Sequence, residues 1–444
     1  MGDMKPEGLK LRRSSTAACL VLAPVLVGTV LAGGAGTPAA YSFYETSPRI
    51  TRPPALPLKG RLNAPGRDAS LTTLSTDQNG APVLAWVEHG PAGNGSADQL
   101  RAARWSGAAW IPMGGVLNEN PAHNAAQLTA ASGPDGRPWL GWSEDAGTAH
   151  VDSYLMSRWD GQHWSDPGRY AVKRNLSDAG RSRAFAVTAS NTPFLAWTNI
   201  YYPGARAGVV QPLTWLGERW NERALPLNVS VRSAAFFPAA AAHAPGQEGT
   251  LYVAWLEGDV AHSSVYVKQL ELGGVWTPLG GALNSRPRTY TFAPQLAAGR
   301  TGVVAAWLED QGGTDTLFVK RWTGQRWVSL GAGLNVSAGQ FAQRPNLALD
   351  LKGNPVVAWV EGQDGARRVY AKRWTGHAWT LLGAGALNLK PQRDARSASV
   401  TVDGQNRAVV AWCEQVGAGL EMTAPGIQGY DVHVRRLGQD GAAQ

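Results

Sequence analysis

The sequence predicts an all-β protein built as a seven-bladed β-propeller of four-stranded antiparallel blades, and three recurring marks carry that prediction. A short apolar run ends in a tryptophan at Trp86, Trp142, Trp197, Trp255, Trp307, Trp359 and Trp412, inside segments such as PVLAWVE, LYVAWLE and PVVAWVE, spaced 52 to 58 residues apart. A W-x-G-x-x-W pair follows at Trp105 and Trp110, Trp159 and Trp164, Trp215 and Trp220, Trp322 and Trp327, and Trp374 and Trp379; the fourth unit keeps Trp276 alone. A Leu-Asn step closes the unit at Leu117-Asn118, Leu227-Asn228, Leu283-Asn284, Leu334-Asn335 and Leu387-Asn388, with a shifted Asn175-Leu176 in between. Self-similarity at roughly 50 residues, in units of short strands and glycine turns, marks a propeller blade rather than a helical solenoid. Of the 19 tryptophans only Trp139 lies off the template, so the set is read as inter-blade packing and not as a row of ligand-stacking rings.

The sixth unit shows what each element is. NLALD is the first strand, Lys352-Gly353-Asn354 a turn, PVVAWVE the second strand, RVYAKRW the third, Thr375-Gly376 a turn, and AWTLLGAGALN the fourth. Each run is short, rich in β-branched or aromatic residues, and bounded by Gly, Asn, Asp or Pro. The second strands are almost continuously apolar, which suits a strand covered on both faces by neighbouring sheets.

The seventh unit has SASVTVD, AVVAWCE and DVHVRRL, and then the sequence ends at Gln444 where a fourth strand should begin. Ahead of the first unit, Leu56-Pro57-Leu58-Lys59-Gly60-Arg61-Leu62-Asn63 matches the fourth-strand pattern of Trp276 to Asn284. The N-terminal strand is therefore expected to complete the last blade and close the ring, which removes an exposed sheet edge. Residues 1–40 read as a signal peptide: Lys5, Lys10, Arg12 and Arg13 precede an apolar stretch from Ala17 to Ala32 and small residues through Ala40. Residues 41–55 form a linker, 56–438 the propeller and 439–444 a tail. An uncleaved anchor is the alternative for the apolar stretch, which is short for a membrane span.

Composition narrows the function classes. The net charge of +8 is mild and its arginines are dispersed, so nucleic acid is not an expected partner, whereas an acidic polysaccharide is compatible. Past the signal peptide Cys413 is the one cysteine, so no intramolecular disulfide is expected. The eight histidines lack metal-ligand spacing, and the Asp310 to Asp315 turn lacks the ligand density of a calcium loop. No metal, cofactor or membrane contact after signal cleavage is expected, and the protein is read as a monomer.

Candidate function falls on the loops that join second to third strands and each blade to the next, because these open on one face. Glu88, Glu144, Glu257, Glu309, Glu361 and Glu414 stand at the ends of second strands. They either cap backbone N–H groups and pair with arginines, or form a belt with guanidinium groups that binds sugar hydroxyls or acidic groups. The third unit breaks the row with Thr198 and continues Asn199-Ile200-Tyr201-Tyr202-Pro203-Gly204-Ala205-Arg206. Tyr201, Tyr202 and Arg206, with Arg181, Arg183, Arg288, Tyr290, Glu144 and Glu257, make the candidate ligand-binding set. Phe236, Phe237, Phe292 and Trp139 add aromatic surface nearby, and the Gln415 to Tyr430 loop of the seventh unit is long enough to cover a channel.

The W-x-G-x-x-W hairpin followed by an LGG-like step, as in Arg158 to Trp164 and Trp276 to Gly281, resembles secreted bacterial seven-bladed propellers, including lectins of the Photorhabdus type. The resemblance spans about residues 56 to 438 and is architectural, since an AWxE second strand stands where those lectins carry another motif. A fainter likeness to kelch and galactose-oxidase propellers lacks their Gly-Gly pair. The resemblance implies a secreted or periplasmic, non-catalytic binding propeller recognising a glycan or a protein. A polysaccharide-active hydrolase or lyase on the same scaffold is the alternative, and no catalytic residue is singled out.

Overall fold

The computed structural model describes residues 62–438, except 91–96, 146–151, 167, 169–170, 175–182, 201, 206, 222–223, 243–249, 260, 272–273 and 417–428. The signal-peptide, linker and tail assignments, and the Asn175-Leu176 step, lie outside these residues. Within them the chain forms 26 strands, and these assemble into seven antiparallel sheets of three or four strands each. No helix among the described residues is long and apolar enough to cross a membrane.

The sheets are the seven expected units. The sixth pairs Ala342–Leu349, Pro355–Glu361, Arg368–Trp374 and Trp379–Leu381 in sequence order. The third and seventh sheets contain three strands each; in the third, Trp215 and Trp220 form an isolated bridge where a fourth strand would start. First strands touch first strands around a closed circuit, from Asp68–Thr76 through the intervening blades to Ala395–Val402 and back to Asp68–Thr76. They are the inner edges of the blades and surround the channel.

The apolar core is divided into seven clusters, each filled by two neighbouring blades. Trp359, for example, packs with Val304, Leu317 and Leu334 of the fifth blade, and Trp86 with Val409 and Val432 of the seventh. Each second-strand tryptophan thus faces the preceding blade, and these indoles are at most 4% exposed. The W-x-G-x-x-W rings meet at 5.3 to 5.6 Å between centroids, tilted or edge to face. The later ring also ties blades: Trp164 Nε1 donates to Met113 O, Trp327 to Leu279 O and Trp379 to Leu330 O, at 2.7, 2.7 and 2.5 Å. A large ring with one polar atom fills the gap between sheets and satisfies that atom on the neighbour's backbone.

Closure is visible in the two residues of the N-terminal segment that are described. In other blades the closing asparagine accepts from the third strand, as Asn388 Oδ1 does from Val369 N at 2.9 Å and Asn335 Oδ1 from Leu317 N at 3.0 Å. Asn63 does the same for the seventh blade, accepting from Val432 N at 3.0 Å and donating to Asp431 Oδ1 at 3.0 Å. Leu62 is buried in the core between the seventh and first blades. At the opposite end of the same seam, Gly404 N donates to Gly80 O at 2.9 Å.

Inner strands are bulged near their starts. One extra residue is accommodated in six of the seven, and in five of these a non-glycine residue is left-handed: Gln127, Phe237, Ala293, Arg344 and Ser397, with φ of 50°, 51°, 50°, 47° and 59°. Proline follows at 238, 294 and 345, where an edge strand tolerates the missing N–H. The start of a first strand pairs with the end of the second, so the bulges lie toward the loop face.

Candidate ligand-binding face

The repeated glutamates are inward ties. In each copy the indole Nε1 two residues earlier on the same strand donates to the carboxylate at 2.8 to 3.1 Å. The remaining oxygen capacity takes backbone N–H groups from the loop that leaves the preceding blade. Glu361 accepts from Val336 N and Ser337 N at 2.9 and 2.6 Å, Glu414 from Leu389 N and Lys390 N at 2.7 and 2.9 Å, and Glu88 from Ala64 N at 3.0 Å. Glu88 also has Arg67 Nε and Arg101 Nε at 3.4 and 3.6 Å.

Glu144 and Glu257, both in the candidate set, follow this rule and are buried. Glu144 takes Glu119 N and Asn120 N at 2.6 and 3.2 Å, and Glu257 takes Val229 N and Ser230 N, each at 2.7 Å. Burial pushes the Glu144 carboxyl above its ordinary range despite the bonds from Trp142 and the two amides. Glu309 is buried too, but added bonds from Ser285, Arg286 and Trp307 outweigh desolvation and hold its carboxyl below the ordinary range.

The third blade corrects one sequence expectation. Thr198 is the residue between tryptophan and glutamate in the other blades, as Val87 and Ser143 are; the glutamate position is held by Asn199. Its amide donates to Gln211 Oε1 of the same blade at 2.9 Å, in a buried pair. Of the aromatic and basic residues placed beside it, Tyr201, Arg206 and Arg181 lie outside the described residues. Tyr202 is part-exposed. Trp139 takes no part: it is 1% exposed, packs near Phe185 at 6.3 Å, and starts its strand at the turn end, away from the loop face.

Arg183 is held in place. Its Nη1 donates to Gln127 Oε1 at 3.1 Å and Ser143 Oγ at 2.7 Å, and its guanidinium lies over the Tyr154 ring at 5.3 Å. Arg288 is exposed, with a left-handed φ of 58°. Tyr290 stacks on Phe292 at 5.5 Å and 20° between planes. Burial raises the Tyr290 phenol, as does the charge of Asp315. Asp315 is itself pushed up to about 6 by burial and then by Asp310. The described members of the candidate set, Glu144, Arg183, Tyr202, Glu257, Arg288 and Tyr290, lie on blades two to five.

Two groups on this face have members that the sequence shows, Phe236 and Phe237 in one and the loop arginines Arg344 and Arg396 in the other, but their grouping is visible only in the structure. At blades three and four, Ile200, Val229, Val231 and Phe237 are exposed, and Phe237 meets Phe236 edge to face at 5.5 Å. At blades six, seven and one, Arg344, Arg367 and Arg396 come together around Asp394, Asp68 and Tyr430. The signal for the second group was faint: Arg344-Pro345 inside a strand pattern marks a bulge. Among the described residues no cluster of three or more His, Cys, Asp or Glu could hold a metal ion.

No family model matches the chain, and no curated protein matches it in sequence. The chain is similar in fold to an ulvan lyase. That enzyme, described as a new family of polysaccharide lyase, aligns over 85% of this chain and 96% of its own with a TM-score of 0.51 and 12% identity. The same lyase bound to -[GlcA(1-4)Rha3S]- gives a TM-score of 0.52. A prolyl endopeptidase aligns over 78% of this chain and 45% of its own, at 14% identity and a TM-score of 0.50. Such identities speak to the propeller scaffold and leave the chemistry of the loop face to its own residues.

Proposed function

We propose that this protein is an exported, non-catalytic binding propeller whose loop face recognises a glycan. One observation carries the reading: the repeated carboxylates are used up inside the ring, and aromatic, aliphatic and cationic side chains stand at the surface around them. Phe237, the Tyr290 and Phe292 stack, Arg288 and Arg344 are spread around the inner bulges. Flat rings dock the apolar face of a sugar, and guanidinium forks bind its acidic substituents. The basic-then-apolar N-terminal stretch supplies the export signal, and N-terminal sequencing of the exported protein checks it. A glycan array probed with the purified chain is the direct test; no binding to any sugar, with capture of a protein instead, sinks the glycan reading.

A second reading, a polysaccharide lyase, is favoured by Asp315 and Tyr290. Burial pushes the Asp315 carboxyl up to about 6, where it can exchange a proton near neutral pH, while the raised Tyr290 phenol stays protonated there and can only donate. The ulvan lyase shares the scaffold alone. Incubation with acidic polysaccharides, followed by the ultraviolet absorbance of unsaturated uronate ends, tests this reading, and Asp315→Asn should abolish any activity found. Absence of new chain ends on every acidic polymer excludes it.

A further inference from the structure

The guanidinium of Arg344 has no hydrogen-bond or ion-pair partner among the described residues, and its setting makes that notable. Arg344 is the bulge residue on the inner edge of the sixth blade, with φ 47° and Pro345 following, so its root at the channel mouth is held by a backbone conformation that few side chains adopt. Arg367 and Arg396 stand close enough to weigh on its charge.

Every other member of the group is engaged. Arg367 Nη2 and Nε reach Asp394 at 2.5 and 3.1 Å, and its Nη1 reaches Asp364 at 3.1 Å. Arg396 Nη2 reaches Asp68 Oδ2 at 3.1 Å, and the guanidinium lies 3.7 Å from the Tyr430 ring centroid. Asp394 is buried and also accepts from Arg367 N and the Tyr430 hydroxyl, both at 2.8 Å, while Asp68 accepts from Tyr430 N at 2.5 Å. Asp364 also lies close enough to favour the Arg344 charge, but its ion pair is with Arg367.

The Arg344 side chain reaches solvent, yet its proton is held less tightly than usual, first by desolvation and then by the two neighbouring cations. Arg344 is thus a cation that reaches solvent while the arginines beside it are already paired, so its N–H donors are the ones the group leaves unused. An incoming anion would find that fork of donors at the channel mouth.

We propose that Arg344 anchors an anion subsite at the channel mouth between the sixth and seventh blades, taking the carboxylate or sulfate ester of an acidic polysaccharide. The proposal rests on the glycan reading above. Arg367 and Arg396 position the subsite electrostatically without surrendering their own partners.

Titration calorimetry on the full chain tests it with four probes: oligogalacturonate, sulfated dextran oligosaccharide, and neutral galactan and dextran oligosaccharides. One acidic probe should bind about tenfold or more tightly than its neutral counterpart, weakening as salt is raised. Which acidic probe binds identifies carboxylate or sulfate ester as the ligand group. Arg344→Asn keeps a residue that tolerates the left-handed backbone, and should lose about tenfold for the acidic probe alone. Arg344→Lys, which keeps charge but not the fork, should fall between. Arg326→Asn, on the exposed hairpin between the third and fourth strands of the fifth blade, should change nothing. Equal binding of acidic and neutral probes, or unchanged binding by Arg344→Asn, overturns the subsite and leaves the glycan reading standing. Failure to bind any of the probes overturns the subsite, and a blank glycan array beside it overturns both.

Discussion

Trp359 Nε1 donates to Glu361 Oε2 at 2.9 Å from two residues away on the same strand, and the carboxylate so oriented receives the Val336 and Ser337 amides of the blade before. Glu361→Ala leaves an indole and two amides without their acceptor inside the ring. It should destabilise by about 3 kcal/mol, and Glu361→Gln, which keeps one acceptor oxygen, by less. Urea denaturation of both variants measures this; equal stability of Glu361→Ala and the parent would show that the bonds form equally well to water.

Asn63 connects the beginning of the described chain to the third strand of the last blade. Asn63→Ala removes the acceptor for Val432 N, and should lower stability by about 1 to 3 kcal/mol, comparable to Asn388→Ala within the sixth blade. Deletion of residues 41–66 should cost several kcal/mol more, as expected for loss of a packed strand. Unchanged melting after that deletion would refute closure through the N-terminus.

Gly80 shares the seam between the first and last blades. Its φ is +73°, and a Cβ there would stand 2.6 Å from Gly404 Cα. Backbone cannot be turned aside as a flexible side chain can, so Gly80→Ala should destabilise by about 1 to 3 kcal/mol. Gly107→Ala, at φ +100° with nothing within 4 Å of the added atom, separates conformational cost from collision. Thermal melts that rank the two equally would remove the collision from the account.

Asp315 gives a pH signature. Its folded-state carboxyl titrates at about 6 against 3.8 ordinarily, so the folded protein holds this proton more tightly than the unfolded chain. The group therefore weakens the fold as pH rises from about 4 to 6, and the whole penalty is present above that window. Asp315→Asn should be more stable than the parent at neutral pH, and the advantage should shrink to nothing below about pH 4. Melting temperatures across that range decide it; a constant offset would exclude the titration.

The blade count and strand order were legible because they rest on periodic features: Trp86 and its six counterparts mark the second strands, and the Leu-Asn steps the blade ends. The same repetition identified the glutamates as a set but not their direction, since the donors of Glu361 lie 24 and 25 residues upstream. Counting across the third unit missed by one, because Thr198 is polar and stands where a polar residue was sought, while Asn199 holds the position. Arg344 and Arg396 stand out in the sequence as arginines of the connections, but their grouping was out of reach for a different reason. Arg367 and Asp394 are 27 residues apart and meet only when the sixth and seventh blades pack, and Arg396 and Asp68 are 328 apart and meet only after the ring has closed.

Every blade but the third offers a carboxylate backward to backbone amides of the blade before, so the interface between blades is one joint used repeatedly. A chain built on such a joint has no privileged first unit. Circular permutants that join the natural ends through a linker and open the chain between Val336 and Gln340, where the connection is exposed, would keep the Glu361 joint only if cut after Ser337. The exact cut within a single loop, rather than the choice of blade, decides whether the ring survives being renumbered.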